Sequence, residues 1–330
     1  MSNLPGNISP EKLLKLKSLI MKSLRTFFEK EGYVECFIPG ITKVTGSCEA
    51  IANIFTIEDL SFSTLRQTAQ LDMEALLVES GLTKMFTGGR SFRKELITWD
   101  GRHLSDFELF EYEALDMNLA ELLQLNNNML NYLMEQVLSS NLLNREQTKT
   151  LQKHYNKNTN ATAEITYEEA IDMLSHSCFQ VKTEEGLRYI QHGDDLNSQA
   201  ERLITEEFGI VHVTHYPEEI KFFNMLRSRE KYHQGSVDCA DLLLPLAGET
   251  IGGSAREYDF DILSEKLNNS LMLKHLNELA TEKKWDGKVI DVFNGYLNLF
   301  KDNNYPRSGA GAGLGRIMQF ILSSETILPF

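Results

Sequence analysis

The sequence predicts one α+β domain, a largely antiparallel β-sheet flanked by helices, and three observations carry that prediction. Helical apolar spacing occupies both ends of the chain. Strand-like segments fill the middle. Short links, not regular helical crossovers, join those strands. At 330 residues, 42% of them hydrophobic, the chain can bury a sizeable core as a single domain, 1–330. Its 24% of charged residues excludes the composition of a disordered chain.

In chain order, Ser9-Pro10-Glu11 reads as a helix start, with Ser9 as cap and Pro10 in the first turn. Leu13, Leu16, Ile20, Leu24, Phe27 and Phe28 then recur at helical spacing until Gly32 stops the run. Residues 33–41 predict a strand with Pro39 at its end, 72–80 a short helix, and 84–95 and 104–115 two strands. A long helical pattern covers 118–143. The polar stretch 144–163, rich in Asn, Thr, Gln and Lys, reads as a surface connection. Thr166 and Glu169 form a capping box for a short helix. Residues 210–214 and 237–244 predict strands, 264–283 a helix, and 314–322 a closing helix after a Gly/Ala-rich turn.

The formal charge is −14, which repels a phosphate backbone at long range. Cys36, Cys48, Cys178 and Cys239 stand far apart with no CxxC, so neither a structural zinc site nor a disulfide framework is expected. Reduced thiols and a cytoplasmic setting fit that usage. Lys12, Lys15, Lys17 and Lys22 interrupt the first apolar residues, unlike a signal peptide, and no apolar run is long enough to span a membrane.

Three segments carry chemistry. Phe86-Thr-Gly-Gly-Arg-Ser-Phe-Arg-Lys-Glu95 leads into Gly101-Arg-His-Leu-Ser-Asp-Phe107, setting Arg93, Glu95, Arg102 and His103 on two strands and their turn. Guanidinium groups fork onto phosphate or carboxylate oxygens, and Phe107 offers a ring to an adenine. A surface hairpin with ordinary ion pairs uses the same residue types. Asp241 and Glu249 flank a strand and turn, followed by Gly252-Gly-Ser254 and Arg256. Two such carboxylates suit a Mg²⁺ ion that keeps water and phosphate ligands, and the glycines allow close backbone approach. Ser308-Gly-Ala-Gly-Ala-Gly-Leu-Gly-Arg316 opens an apolar helix, a setting that can hold phosphate. It lacks the Gly-Lys-Ser/Thr of a P-loop, and a flexible turn is the plain alternative.

Taken together and in this order, the segments resemble motifs 2 and 3 of the class II aminoacyl-tRNA synthetases, and Pro39 resembles the motif 1 proline at their dimer interface. Further matches resemble the asparaginyl branch: Cys48-Glu49-Ala50, Gln67-Thr-Ala-Gln-Leu-Asp-Met-Glu74, Tyr216-Pro-Glu-Glu-Ile-Lys221, and Asp241 through Gly253-Ser-Ala-Arg-Glu257. The resemblance implies a class II synthetase-like sheet and an ATP-dependent, AMP-forming ligase. It implies that Arg93 holds the reacting carboxylate and α-phosphate. Arg102, His103 and Arg316 would hold the triphosphate, Phe107 and Arg316 would sandwich adenine, and Glu95 would fix the adenine or its neighbouring Arg. Asp241 and Glu249 would hold Mg²⁺. Glu49, Gln67 and Gln70 would bind the substrate ammonium and its surroundings, and Ser254 would line the substrate site. Arg256 and Glu74 would read a carboxamide, one donating to its oxygen and the other accepting from its nitrogen. A homodimer is implied as well.

The chain also departs from the pattern. No room is left for an N-terminal OB-fold anticodon domain. Where the aspartate-specific branch tends to have a Lys, this chain has Met73. The family's Asp-Leu-Arg is Asn298-Leu-Phe300, its Pro-His is Pro306-Arg307, and its Gly-Phe-Gly-Leu-Gly is Gly309-Ala-Gly-Ala-Gly313. The ATP-binding residues are kept while the surroundings of substrate and acceptor differ. The expectation is a ligase that activates aspartate, asparagine or a close analogue as its adenylate and passes it to ammonia or another small nucleophile, as the similar archaeal-type asparagine synthetase implies. The alternatives are a tRNA ligase acting on the acceptor stem alone, disfavoured by the net charge, and a non-catalytic amino-acid or nucleotide sensor.

Overall fold

Local signals set the first helix. The Ser9 hydroxyl accepts from the Lys12 amide at 3.3 Å, and the apolar stripe from Leu13 to Phe28 is buried along one face of α1 (Pro10–Lys30). The computed structural model describes residues 8–46, 51–94, 104–183 and 186–327. After α1 come β1 (Val34–Glu35), β2 (Ile41–Lys43), β3 (Ser63–Leu65), α2 (Gln70–Ser80), β4 (Lys84–Phe92) and β5 (Asp106–Leu115). The middle holds α3 (Leu119–Leu138), α4 (Arg145–Asn160), β6 (Ala163–Thr166), α5 (Tyr167–His176), β7 (Gln180–Thr183), β8 (Gly186–Tyr189), α6 (Ser198–Phe208) and β9 (Val211–Thr214). The last part holds β10 (Cys239–Leu244), β11 (Gly248–Arg256), α7 (Phe260–Asn269), α8 (Leu271–Glu282), α9 (Val289–Asn298), β12 (Arg307–Gly313) and α10 (Leu314–Leu322).

Eight strands form one sheet in the order β1-β4-β5-β12-β11-β10-β9-β6. The two outermost pairs, β1/β4 and β6/β9, are parallel, and the six strands between are antiparallel. This is the predicted α+β class. Strand alternation gives the sheet two different faces. On β5, Phe110, Tyr112 and Ala114 point into the main core beneath α1, α3 and α10, where the Phe28 and Tyr112 rings lie 4.6 Å apart. Leu109, Glu111 and Glu113 of the same strand face the other way, over a cavity. A second core, built from α7, α8 and α9 with Phe222 and Phe223, walls that side.

Four expectations are corrected. The stretch 144–163 is no connection: it is the helix α4 followed by β6. Asn144 and Gln147 form a reciprocal capping box, and Gln147, Leu151 and Asn158 are buried on one face against α3 and α10. Its polar composition hid a cap and a helical stripe. The Gly/Ala-rich stretch is a central strand, β12, not a turn. The predicted helix 264–283 breaks at Ser270, whose hydroxyl caps α8 by accepting from the Leu273 amide at 3.1 Å. The strand expected over 33–41 keeps only Val34–Glu35, and the chain leaves the sheet before Pro39.

Candidate active site

Register places the site. Across the middle of the sheet, Glu111, Gly311, Gly252 and Asp241 form one cross-strand row, with Glu113, Gly309, Ser254 and Cys239 in the next hydrogen-bonded row on the same face. Leu115, Arg307 and Arg256 make the third row. Glycines therefore sit where side chains would fill the space between the acids. A methyl group at Gly309 would lie 2.1–2.2 Å from the Glu113 carboxylate. The result is a cavity of about 360 Å³ over the glycine rows.

One end of the cavity gathers Arg93, Phe107, Asp241, Glu249 and Arg316. The Arg93 guanidinium carbon lies 5.6 Å from the centre of the Phe107 ring, and its segment is tied down by the Arg93 amide donating to Ser105 at 3.0 Å. Arg316 reaches from the first turn of α10 and donates to the carbonyls of Ala247 and Glu249. Asp241 and Glu249 converge over Gly252: the position of a methyl there lies 2.7 Å from Glu249 Oε1 and 3.4 Å from Asp241 Oδ1. Lys221 Nζ donates to the other Asp241 oxygen at 2.7 Å. Burial pushes the Asp241 carboxyl up to about 6, Lys221 opposes this, and the charge of Glu249 adds to it. Two hard oxygen donors with excess negative charge fit a Mg²⁺ ion whose remaining ligands are phosphate oxygens and water. Among the described residues no group of three or more acids, histidines or cysteines is assembled.

The other end is a web of buried charge. Glu74 is fully buried, accepting from Asn224 Nδ2 at 2.5 Å on one oxygen, and on the other from the Tyr296 hydroxyl at 2.8 Å and Arg307 Nε at 2.9 Å. Arg256 Nη2 donates to Glu113 at 2.5 Å and Nη1 to Ser254 Oγ at 2.7 Å. With its amide oriented to satisfy its neighbours, Gln70 presents its oxygen to both terminal nitrogens of Arg256. Burial raises the Glu113 carboxyl to about 7 and Glu74 adds to this, against the pull of Arg256. Burial likewise raises Glu111, which accepts from the Thr68 hydroxyl and from the Ala69 amide at 2.9 Å.

Arg93, Phe107, Asp241, Glu249 and Arg316 thus share one end, and Gln70 and Arg256 line the other. Glu74, Gln67 and Ser254 are fully buried and do not line the cavity; Glu74 lies behind Arg256. Glu49, Glu95, Arg102 and His103 lie outside the described residues. Sequence reasoning gave no role to Glu111, Glu113 or Lys221. The first two had a signal: acids alternating with Phe110 and Tyr112 in a strand whose aromatic face must be core.

The sheet order and this two-ended cavity define an α+β core built around a nucleotide-sized site with acids and arginines at both ends. Comparison with known proteins gives the class its name. Residues 6–329 match the family of class II tRNA synthetases (D, K and N), and the chain belongs to it. The asparagine–tRNA ligase of Thermococcus gammatolerans is 31% identical over 321 residues, covering 96% of this chain and 66% of the relative. That of Mesomycoplasma hyopneumoniae is 30% identical over 338 residues, covering 96% and 68%. The asparaginyl-tRNA synthetase of Pyrococcus horikoshii, solved with asparaginyl-adenylate, superposes with a TM-score of 0.76 at 27% identity, over 96% of this chain and 66% of that one. The Entamoeba histolytica enzyme, at 23% identity and TM-score 0.74, shares the fold. The chain spans about two thirds of the length of these relatives. No helix among the described residues is long and apolar enough to cross a membrane.

Proposed function

We propose that the chain is an ATP-dependent, AMP-forming ligase that activates aspartate, asparagine or a close analogue as its adenylate. The observation that carries this reading is the single cavity with Asp241, Glu249, Arg93 and Arg316 at one end and Arg256 and Gln70 at the other. A carboxylate oxygen of the amino acid attacks the α-phosphorus of ATP, and the bond to the bridging oxygen breaks to release pyrophosphate. Arg93 orients the attacking carboxylate against the α-phosphate. Arg316 and Phe107 hold the nucleotide, and Asp241 and Glu249 would hold the Mg²⁺ that accompanies it, which would supply charge stabilisation to the phosphates. By resemblance, Arg102 and His103 are assigned to the triphosphate, Glu95 to the adenine or its neighbouring Arg, and Glu49 to the substrate ammonium. None of these groups moves a proton in this step, so the chain contributes positioning and charge.

In the second step a nucleophile attacks the acyl carbon and AMP leaves. We assign ammonia or a small amine as acceptor: the new bond is an amide, and the surplus proton leaves with solvent. The support is the −14 charge, which opposes docking of a polyanion. The relatives are named for tRNA, so tRNA stands as an equal second reading, and nothing in them favours the small acceptor. We further propose a homodimer across the segment around Pro39, where Phe37 is 84% exposed and Ile41 52%. Amino-acid-dependent ATP–pyrophosphate exchange tests activation. Exchange with aspartate or asparagine is expected, and no exchange with any of the twenty amino acids would overturn it. AMP release on adding ammonia, set against charging of bulk tRNA, separates the acceptors.

A further inference from the structure

The far end of the cavity differs from a carboxamide reader in how its charges are paired. Glu74 has both oxygens engaged by Asn224, Tyr296 and Arg307, and none of it faces the cavity. Its closest cation, Arg307, is 1% exposed. The Arg307 guanidinium also lies 4.1 Å over the ring of Phe300, so an aromatic face backs the buried cation.

The charge count follows. Arg256 and Arg307 face Glu74 and Glu113 within one buried cluster. With an uncharged residue at 307, the same cluster would carry an excess negative charge. It would then favour a ligand end that donates, as the amide nitrogen of a carboxamide does. With Arg307 present the acids are balanced, and Glu74 serves as a counter-ion. The group left facing the ligand is Arg256. Besides Glu113 and Ser254, its terminal nitrogens hold the Gln70 amide oxygen, which marks the place a ligand carboxylate would take as a two-pronged acceptor.

We infer that Arg307 is a specificity-setting residue: by holding Glu74 as its counter-ion it leaves Arg256 to read the non-reacting end of the substrate, and so selects an amino acid whose far end is a carboxylate over one whose far end is a carboxamide. The inference rests on the activation reading and deepens it. It fits either orientation of aspartate, since both ends of that molecule are carboxylates.

The test is the ratio of kcat/KM for aspartate and asparagine in pyrophosphate exchange, measured for the wild-type chain, Arg307→His, Arg307→Lys and Glu74→Gln, with folding checked by circular dichroism. The wild type should favour aspartate by about tenfold or more, the scale of one mismatched polar contact in a binding site. Arg307→His should move the ratio toward asparagine by about tenfold, Arg307→Lys should keep the aspartate preference, and Glu74→Gln, which removes a negative charge from the same cluster, should keep or strengthen it. A wild-type preference for asparagine that collapses in Glu74→Gln would overturn the inference, because Glu74 would then be reading the amide. If Arg307→His does not fold, Arg307→Lys and Glu74→Gln decide the matter alone. If the wild type exchanges with no amino acid, the activation reading fails instead, and calorimetric binding of aspartate against asparagine still decides: equal or asparagine-favoured binding would sink the inference.

Discussion

The two ends of the cavity are built on opposite plans. At the nucleotide end, Lys221 pairs with Asp241 while Glu249 stands beside it, and Arg316 spends its hydrogen bonds on backbone carbonyls, so part of the charge there waits for a ligand to balance it. At the far end, Glu74, Glu113, Arg256 and Arg307 balance one another inside the protein, all at most 3% exposed. An end that is completed from outside can be altered at the expense of binding. An end completed from inside is part of the fold, and altering it disturbs stability and selectivity together.

That contrast can be broken most forcefully at the far end. Arg307→Met leaves Glu74 buried beside Asn224 and Tyr296 with its closest cation gone. It should destabilise the protein by about 3–5 kcal/mol, read as a lower denaturant midpoint at unchanged m-value. An unaltered midpoint would mean the web is not a structural unit. At the nucleotide end, Arg316→Ala should lower pyrophosphate exchange by roughly a hundred- to a thousandfold, about 2.7–4 kcal/mol, while the unfolding midpoint stays put. Loss of stability in place of activity would erase the distinction.

A titrating group outside both ends sharpens the comparison. His212 is 1% exposed on β9, with Nε2 2.9 Å from the side-chain oxygen of Asn127, and burial lowers it to about 4. The unfolded chain takes up this proton near the ordinary histidine value of about 6.5, and the folded chain resists until about 4. Its contribution is therefore fully present above the unfolded value and is lost as pH falls through that window, at most about 3 kcal/mol. Stability measured from pH 7 to 4 should fall less steeply in His212→Gln than in the wild type. Parallel curves would remove His212 from the account. The smallest expected effect concerns α4: Asn144→Ala removes a helix cap and should cost about 1 kcal/mol, with exchange activity unchanged.

The fold was legible wherever local chemistry decides the element. Ser9-Pro10 and Thr166-x-x-Glu169 announce helices that start where they should, and the alternation in 104–115 gives a strand with one aromatic face. It was not legible where partners decide. Gly309, Gly311 and Gly313 look like a turn in isolation. They form a strand because β5 and β11 pair with them on either side, and at Gly309 the Glu113 carboxylate occupies the space a side chain would need. The site was legible at the nucleotide end, whose residues cluster in short motifs. Its far end joins Glu74, Asn224, Tyr296 and Arg307 from four separate stretches, and no spacing within a sequence encodes that meeting. The apolar rule that sends acids to the surface misleads for Glu111 and Glu113, because the cavity, not solvent, receives their face.

The position of β12 has a consequence for how the chain reaches this state. It is inserted between β5 and β11 and follows both in the chain, so the sheet's centre closes only after β12 is made. Until then β5 and β11 each present an unpaired edge, and the acids of β5 lie across from nothing. Between the synthesis of β11 and that of β12, a nascent chain thus holds two half-sheets with sticky borders, open to pairing with other chains. Chaperone demand and losses to aggregation should therefore track the supply of β12, making the glycine-rich segment a keystone of biogenesis as well as a floor for the ligand.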